Sequence, residues 1–450
     1  MQSIDYKYLK KICYKTLSLW DVKRYVDECI SFKNAVKLSD ILLPHIEPLP
    51  KEELLTNNWQ IISKINFAGK LYLRDVNEAK TFSGKLFKVI PKSLIYSKIN
   101  VRHGCVYFHP EDARPFGVSS EYPVYLVDDK RALGQFLIMV IQSKYFKSIL
   151  SKKTTGISKA RVKPVEFLNM EIPLPDISVQ RTLLAEYNDK IQKAYIIEQE
   201  ANMIEKDNSA YLRQQLGATT IKDSNETQDD NKYLHFVHFR SIAEWGIELI
   251  RNKKKQELFK YPTLKIKDLC YLGSGDTPSR ANQQYYNGDI PWVKTGEVVN
   301  DEIFETEEHI TEEAIANSSV KLYPAGSLII AMYGQGDTRG RTAKLGIDAT
   351  TNQACAVLYN IDNTIVSTDY LWYYLQGRYH DLRSLASGNN QPNLNAGKIK
   401  NYDVVVPPMC VQNEIVAHIK EQKALAKSLR QRAQILRQEA LTEFETKIFE

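Results

Sequence analysis

Residues 155–180 read TGISKARVKPVEFLNMEIPLPDISVQ, and residues 387–412, which begin 232 positions later, read SGNNQPNLNAGKIKNYDVVVPPMCVQ. The two segments align without a gap, although few of their residues are identical. They share a glycine near the start, a proline before the end and a final Val-Gln pair: Gly156 with Gly388, Pro175 with Pro407, and Val179-Gln180 with Val411-Gln412. Each segment runs directly into a long stretch of charged, helix-forming residues. A repeat of this kind predicts a duplicated unit that performs one task twice.

The repeat extends upstream of these segments, where the offset is 234 residues. The further matched positions at this offset are 93–95 with 327–329, Tyr125 with Tyr359, and 136–142 with 370–376. Residues 38–41 also resemble residues 266–269, but this match requires several insertions or deletions. The first half therefore extends to about residue 216, and the second half begins at about residue 233. The polar residues 217–232 (GATTIKDSNETQDDNK) between them predict a flexible linker.

Both halves contain short apolar runs that end at glycine or proline, together with short segments of helical spacing. Residues 327–332 and 403–406 are predicted strands, and residues 134–144 and 369–378 are predicted helices. Because strands and helices do not alternate regularly, the predicted fold class is α+β.

Two long stretches carry apolar or small residues at alternating spacings of four and three, the pattern of a coiled coil. In the first stretch the positions are Leu183, Tyr187, Ala194, Ile197, Ala201, Ile204 and Tyr211, interrupted by Lys190 and Asn208. In the second they are Ile415, Ile419, Ala426, Leu429, Ala433, Leu436 and Ala440, interrupted by Gln422. One position of the pattern is mostly alanine, which lets two helix backbones approach closely. A single such run could equally pack on its own domain, whereas two matched runs favour helices that pair with each other.

The linker allows the two helices to lie antiparallel, with the globular parts at opposite ends. Helices of about 36 residues, with a rise of about 1.5 Å per residue, span roughly 54 Å. B-DNA repeats every ~34 Å, so two domains held this far apart could contact sites in successive major grooves.

The composition is that of a globular protein with a mild basic excess. The 450 residues include 60 Lys and Arg against 54 Asp and Glu, which gives a net charge of +6. This excess is compatible with a polyanionic partner. The six cysteines form no zinc-binding pattern, and no stretch has the ~20 apolar residues of a membrane span. We expect a soluble, cytoplasmic protein with reduced cysteines and no membrane partner.

No catalytic motif is present. The chain lacks a phosphate-binding loop, a zinc-protease motif and a nucleophile elbow. Val406-Pro407-Pro408-Met409 is only superficially similar to the tetrapeptide of amino-methyltransferases, because it lacks the leading Asn or Asp and the final aromatic residue. We therefore predict no catalytic residue and no metal site.

The segment best suited to bind a ligand is residues 331–344 (AMYGQGDTRGRTAK). Its three glycines permit close backbone approach, and its arginines and Gln335 suit phosphates and base edges. A glycine-rich hairpin with solvated charges is the alternative. In the first half, residues 97–104 (SKINVRHG) occupy the equivalent position, and residues 152–163 add five basic residues whose counterparts are neutral. Divergent loops on a repeated frame predict two different specificities.

Several blocks of the second half resemble the specificity (S) subunit of Type I restriction-modification systems, and they follow the order of that family. The blocks are LKIKDLCYLGSGDTPSR (264–280), GDIPWVKTGEV (288–298), EEHIT (307–311), YPAGSLIIAMYGQGDTRGRTAKLGIDATTNQACAVLY (323–359) and NQPNLNAGKIKNYDVVVPPMCVQNEIV (390–416). The first half resembles the family only from about Pro91 onward and lacks the Gly-Asp-Thr-Pro, Ile-Pro-Trp and Asn-Gln blocks. Both halves have Val-Gln where the family often has Glu-Gln.

The resemblance implies a subunit without catalysis of its own, in which two pseudo-repeated target recognition domains are separated by two long antiparallel coiled-coil helices. The implied organisation is recognition domain 1 (1–176), conserved helix 1 (177–216), linker (217–232), recognition domain 2 (233–408) and conserved helix 2 (409–450). Each domain would read half of a split sequence in double-stranded DNA. Methyltransferase (M) subunits, two in number, would bring S-adenosylmethionine and methylate adenine, and restriction (R) subunits would bring ATP and Mg²⁺. No cofactor is expected on this chain.

The candidate DNA contacts are basic, amide and aromatic side chains of the loops: Lys98, Arg102, Lys153, Lys159, Arg161, Arg280, Lys294, Tyr333, Gln335, Arg339 and Arg341. Two alternative functions remain open at this point. One is a coiled-coil scaffold for protein interactions, and the other is the recognition subunit of another restriction-modification type.

Overall fold

A computed structural model describes residue 32 and residues 34–74, 77–78, 82–152, 161–220, 257–334, 336–385 and 394–449. The chain divides into two compact units. The first comprises Met1–Ile196 with Arg432–Glu450, and the second comprises Ile197–Gln431. Each unit contains one globular domain and one segment of each long helix.

The first globular domain is built on an antiparallel four-stranded sheet, whose strands in spatial order are residues 42–44, 124–127, 93–96 and 106–108. Three two-stranded pairs lie beside it: 35–37 with 171–173, 62–65 with 71–73, and 87–89 with 116–118. The core lies between the four-stranded sheet and the helix Gly134–Gln142, where Leu94, Phe136 and Val140 are buried. The elements are β1 (Ala35–Lys37), β2 (Leu42–Pro44), α1 (Lys51–Thr56), β3 (Ile62–Ile65), β4 (Leu71–Leu73), β5 (Phe87–Val89), β6 (Ser93–Tyr96), β7 (Val106–Phe108), β8 (Phe116–Val118), β9 (Val124–Val127), α2 (Gly134–Gln142), α3 (Lys144–Lys152), α4 (Pro164–Leu168) and β10 (Glu171–Pro173). The long helix α5 (Ile177–Gln215) follows.

The second globular domain has a five-stranded sheet, whose strands in spatial order are residues 271–274, 355–359, 328–331, 342–345 and 302–303. It also has a three-stranded sheet of residues 309–310, 286–293 and 350–351, in spatial order. Its elements are β11 (Thr219–Thr220), β12 (Glu257–Leu258), β13 (Thr263–Lys265), α6 (Ile266–Leu269), β14 (Tyr271–Ser274), β15 (Tyr286–Val293), β16 (Glu302–Ile303), β17 (His309–Ile310), α7 (Glu312–Ala316), β18 (Leu328–Ala331), β19 (Thr342–Leu345), β20 (Thr350–Thr351), β21 (Cys355–Tyr359), α8 (Thr368–Gly377), α9 (Tyr379–Ser384), α10 (Ala396–Lys400) and β22 (Asp403–Val405). The second long helix, α11, runs from Met409 to Phe449.

The repeat seen in the sequence is a repeat of topology. Strands β2-β9-β6-β7 correspond in order to β14-β21-β18-β19. Val36 pairs with Ile172 in the first domain, and Leu264 pairs with Val404 in the second. The same strand pairing thus recurs, with an offset of 232 residues between Ile172 and Val404 and of 228 residues between Val36 and Leu264. The predicted duplicated α+β fold is confirmed.

One detail of the sequence alignment is wrong. Tyr125 pairs with Leu94, whereas the residue that pairs with Leu328, the equivalent of Leu94, is Leu358. The stretch from Leu94 to Tyr125 is one residue longer than the stretch from Leu328 to Leu358. Tyr125 therefore corresponds to Leu358 and not to Tyr359.

The Val-Gln pair at the start of each long helix supplies a buried glutamine that joins three backbone segments. In the second domain the Gln412 side chain accepts from Ser367 N–H at 2.8 Å. It donates to the carbonyls of Ile365 at 3.0 Å and Pro407 at 2.9 Å. Ser367 is the N-cap of α8, so Gln412 joins the start of α11, the preceding proline and the start of α8.

Gln180 makes the same three hydrogen bonds in the first domain. Its side chain accepts from Leu133 N–H at 2.9 Å and donates to the carbonyls of Arg131 and Pro175, both at 2.8 Å. Both glutamine side chains are fully buried. A buried amide is tolerated when its hydrogen bonds are satisfied, and we name this arrangement the glutamine clamp.

The two long helices pair antiparallel in the first unit. Glu186 of α5 binds Lys447 of α11 at 2.6 Å, and Lys190, one turn later in α5, binds Glu443, one turn earlier in α11. The opposite directions of these steps define antiparallel helices.

The same orientation is found in the second unit. Glu205 binds Arg430 at 2.6 Å, and Tyr211, further along α5, stacks on His418, which lies earlier in α11, with ring centroids 3.8 Å apart. The seam alanines are buried, as the pattern predicts: Ala194, Ala201, Ala426, Ala433 and Ala440. In the described ranges, no helix combines the length and the apolar character required to cross a membrane.

A lysine of α11 adds a second attachment to the second domain. The Lys423 ammonium lies 5.0 Å from the Trp372 ring centroid and 5.5 Å from that of Tyr373. It donates to the Asn300 carbonyl at 2.8 Å and to the Gln376 side chain at 3.2 Å. Burial lowers the pKa of Lys423. These contacts extend the attachment of α11 beyond its first turns.

We predict that Gln412→Leu destabilises the second unit by about 3 kcal/mol or more, because one N–H and two carbonyls lose their buried partner. Chemical denaturation of the full chain, followed by the change in circular dichroism, measures this loss. Asn413→Leu, which changes the neighbouring exposed amide of α11, serves as the control and is expected to change stability by less than about 0.5 kcal/mol. Equal unfolding midpoints for the two variants would contradict the clamp.

Candidate nucleic-acid interface

The two loops predicted to differ in specificity occupy the same place in the two domains. Residues 97–105 connect β6 to β7, and residues 332–341 connect β18 to β19. These strand pairs are adjacent and antiparallel in their sheets. The repeated frame therefore presents a different loop from the same hairpin in each half.

The second-domain loop has a defined backbone. Gly340 N–H donates to the Ala331 carbonyl at 2.8 Å, and Arg341 N–H donates to the Thr338 carbonyl at 3.0 Å. Gly336 and Gly340 have φ values of 60° and 87°, in the left-handed region that favours glycine. Gln335, one of the candidate contacts, lies outside the described residues.

Helix α9 holds this loop through a residue that the sequence analysis did not identify. The Arg383 guanidinium donates to the carbonyls of Gly336 at 2.6 Å and Arg339 at 3.4 Å. The Tyr379 hydroxyl donates to the Asp337 carbonyl at 2.8 Å and accepts from Arg383 at 3.0 Å. Arg383 carries no motif that would have revealed this role.

The loop and α9 bring two positive charges together. Burial and the charge of Arg383 lower the pKa of Arg339. Two neighbouring guanidinium groups repel each other, and an anion bound between or beside them reduces that repulsion. Arg341 is half-buried at the end of the loop, and Tyr333 is exposed just beyond β18. This arrangement suits a phosphate with base edges beside it.

The structure also brings Arg280 and Lys294 together, because both side chains bind Glu308. Arg280 binds Glu308 at 2.7 Å, and its guanidinium lies 4.4 Å from the Tyr286 ring centroid. Lys294 binds Glu308 at 3.1 Å and Glu307 at 2.8 Å, and these hydrogen bonds raise the pKa of Lys294. A phosphate at this position would have to displace a carboxylate. The pairings favour a supporting role for Arg280 and Lys294.

The glycines of the block at residues 273–276 serve internal packing. A Cβ on Gly275 would lie 2.0 Å from the Thr351 carbonyl oxygen, and a Cβ on Gly273 would lie 2.2 Å from the Tyr323 hydroxyl. The Asp276 side chain accepts from the backbone N–H of Thr277 at 2.8 Å. These close contacts explain why glycine is required at positions 273 and 275.

In the first domain, Lys98 and Arg161 meet at Glu121. Lys98 N–H donates to the Glu121 carbonyl at 3.1 Å, and the Lys98 carbonyl accepts from Val162 N–H at 2.8 Å. The Arg161 guanidinium binds the Glu121 carboxylate at 3.2 Å. Lys153 and Lys159 lie outside the described residues.

Arg102 lies further along the same loop. It belongs to a short 3₁₀ helix, Val101–His103, that ends at Gly104 with a φ of 95°. Its Nε donates to Nε2 of His103 at 3.0 Å. Among the residues that the structure describes, no group of three or more His, Cys, Asp or Glu side chains could hold a metal ion.

Comparison with known proteins gives a consistent result. A family model described as Type I restriction modification DNA specificity domain matches residues 260–435. The chain is 26% identical to the Type I restriction enzyme MjaIX specificity subunit of Methanocaldococcus jannaschii, over 47% of this chain and 48% of that protein. It is 27% identical to the EcoR124I/EcoR124II specificity subunit of Escherichia coli, over 42% of this chain and 49% of that protein. The chain thus spans about half the length of these two relatives.

A chain from a solved structure of a type I R-M system shares the fold. The TM-score is 0.57 at 16% identity, with 92% of this chain and 98% of that chain covered. The likeness therefore extends over both halves, beyond the range that the family model matches.

We predict that Arg383→Ala increases hydrogen exchange at the Gly340 and Arg341 amides by about tenfold, because the loop loses two hydrogen bonds of about 1 kcal/mol each or less. Hydrogen–deuterium exchange read by mass spectrometry measures this change. His380→Ala, at an exposed position of the same helix, is the control. Unchanged exchange in the Arg383 variant would show that α9 does not hold the loop.

Proposed function

Because residues 260–435 match a family model described as Type I restriction modification DNA specificity domain, we propose that the chain is the sequence-specific DNA recognition subunit of a Type I restriction-modification complex. In this proposal each globular domain reads one half of a bipartite target. The observation that carries it is the pair of equivalent hairpins, β6-β7 and β18-β19, which present unrelated loops from the same strands of a duplicated sheet. A protein that reads two different half-sites needs this combination of constant frame and variable loop.

The proposed recognition domains are residues 1–176 and 233–408, with conserved helices at 177–216 and 409–450. The linker predicted at 217–232 begins later than expected, because Thr219–Thr220 form β11 and pair with β12. The remainder of the predicted linker, residues 221–232, lies outside the described residues. The helix bounds of α5 and α11 support the helical segments. In the second domain the Arg339 and Arg341 loop would contact phosphates and base edges, with Tyr333 and Gln335 beside it. In the first domain, Lys98, Arg102 and Arg161 would do so, together with Lys153 and Lys159.

The long helices are the proposed docking surface for two methyltransferase subunits. In the first unit, α5 exposes Tyr195 and Ile196, and in the second unit α5 exposes Met203 and α11 exposes Leu425. Apolar side chains that are directed away from a helix seam into solvent suit a protein partner. The partner subunits would carry S-adenosylmethionine for adenine methylation and, in the restriction subunits, ATP and Mg²⁺ for cleavage. This chain would supply no catalytic group and would act in the cytoplasm.

The test is a gel-shift titration of the full chain together with its methyltransferase partners. The duplex carries the sequence that this complex methylates, with either half or both halves scrambled in parallel duplexes. We expect scrambling of either half to weaken binding, and we expect affinity to fall steeply with salt because phosphate contacts release counterions. Binding that is indifferent to scrambling both halves would contradict the proposal and would favour a protein-interaction scaffold.

A variant in the second-domain loop tests the assignment of that loop. Arg341→Ala should weaken binding by about tenfold, within the range of about 1–3 kcal/mol for one arginine contact, and only when the second half-site is intact. The control is Lys267→Ala, which removes the same charge at an exposed position in α6. Equal affinity and equal sequence preference for both variants would remove the loop from the interface.

A further inference from the structure

The β3-β4 hairpin of the first domain presents an aromatic side chain at its tip. The hairpin consists of residues 62–73, and Phe67 lies in its turn. The Phe67 side chain is 65% exposed. An isolated exposed apolar residue needs no explanation, so the argument depends on how the turn is built and on what surrounds it.

Asn66 gives the turn a defined conformation. Its side-chain oxygen accepts from the N–H groups of Ala68 at 3.1 Å and Lys70 at 2.8 Å. Its backbone N–H donates to the Lys70 carbonyl at 3.0 Å, and its carbonyl accepts from Gly69 N–H at 2.9 Å. Gly69 closes the turn with a φ of 79°. These bonds hold the backbone that carries Phe67 in one conformation.

The hairpin turn is packed against the candidate loop at residues 97–104. A Cβ on Gly104 would lie 2.8 Å from the Phe67 carbonyl oxygen. The Gln142 side chain donates to the Gly104 carbonyl at 2.9 Å, and it occupies the space that a Cβ on Gly69 would need. The Phe67 and His103 rings are in contact, with centroids 5.2 Å apart. The turn and the loop therefore form one continuous surface, which we name the first-domain tip.

The first-domain tip is basic. Residues 62–73 and 97–104 contain no Asp or Glu. In the hairpin, the ammonium groups of Lys64 and Lys70 lie 5.2 and 5.7 Å from the ring centroid of Tyr72. All three side chains are exposed. The tip thus combines a fixed aromatic side chain with nearby cations, and neither segment contains a carboxylate. This combination is complementary to a polyanion that has apolar groups between its charges.

We propose that the β3-β4 hairpin enters a groove of the first DNA half-site, with Phe67 against the bases and Lys64, Lys70 and Arg102 on the flanking phosphates. This inference rests on the proposed function and adds a contact element to it. Apolar side chains that enter a DNA groove pack between base steps, whereas lysines at the groove edges bind the backbone. The hairpin would supply a shape-dependent contact that the loop at residues 97–104 cannot make by itself.

Phe67→Ala and Lys70→Ala separate these two roles. The binding assay uses the full chain with its methyltransferase partners and the duplex that carries the sequence they methylate. Phe67→Ala should weaken binding to this duplex by about tenfold and leave the salt dependence of binding unchanged. Lys70→Ala should lower the slope of log affinity against log salt by about one. The effect of Phe67→Ala should disappear when the first half-site is scrambled, whereas the effect of Lys70→Ala should remain because phosphate contacts do not depend on sequence. Because the Phe67 and Lys70 side chains are exposed, the thermal unfolding midpoints should not change.

The matched control is Ile46→Ala, which truncates another apolar side chain of the same domain that is 76% exposed. Its neighbours His45 and Glu47 bind each other at 3.3 Å, so it lies beside a carboxylate. A photo-crosslinking residue at position 67 should label the first half-site, and the same residue at position 46 should not.

The outcomes distinguish this inference from the function it rests on. If the unmodified complex does not discriminate scrambled half-sites, the proposed function fails. If it does discriminate, but Phe67→Ala binds as well as the unmodified chain and position 67 does not crosslink to DNA, the hairpin inference is overturned. Weaker assembly with the methyltransferase subunits and unchanged DNA affinity would also overturn it, because the tip would then be a protein interface.

Discussion

The glutamine clamp is the interaction on which the architecture depends. In each half, one fully buried glutamine at the start of a long helix accepts from a backbone N–H and donates to two carbonyls. One carbonyl belongs to the proline before the long helix, and the N–H and the other carbonyl belong to the start of a short helix of the globular domain. Loss of the clamp would leave buried polar groups without partners, which costs more than the bonds themselves contribute. The clamp therefore determines how each long helix leaves its domain, and it does so identically in both halves.

The clamp also explains which parts of the chain repeat faithfully. Proline and glutamine are kept at the helix starts, and alanine is kept along the seam, because a side chain larger than alanine would push the paired backbones apart. The hairpin loops carry no such constraint, since their strands are held by the sheet and not by the loop residues. Residues 97–104 and 331–344 are consequently free to differ. A duplicated frame with divergent loops is the physical basis of the proposed reading of two half-sites.

The sequence predicted those features that depend on local pattern. The heptad spacing predicted both long helices, and the strands at residues 327–332 and 403–406 are present as β18 and β22. The equivalence of the two loops also followed from the ungapped alignment of residues 93–95 with 327–329, because each loop comes directly after one of these matched strands. Tyr125 shows the limit of this approach: one residue of difference between strands changed its true partner from Tyr359 to Leu358.

Features that depend on contacts distant in sequence could not be predicted. Arg383 holds the loop at Gly336 from a helix that is more than forty residues later in the sequence. No sequence pattern in either segment predicts this contact. Glu308 similarly neutralises Arg280 and Lys294, which by residue type alone are equivalent to the loop arginines. The hairpin at Phe67 carries no sequence motif, because the first half lacks the motif blocks that are present in the second half.

The central claim is that two different domains on one duplicated frame specify a split target. Genome-wide mapping of methylated bases in the source strain, with and without a functional copy of this chain, tests it most directly. The account predicts adenine methylation within a sequence of two specific parts separated by a spacer of unspecified bases, lost when the chain is removed. Methylation of a single uninterrupted sequence, or a pattern that does not change when the chain is removed, would contradict it.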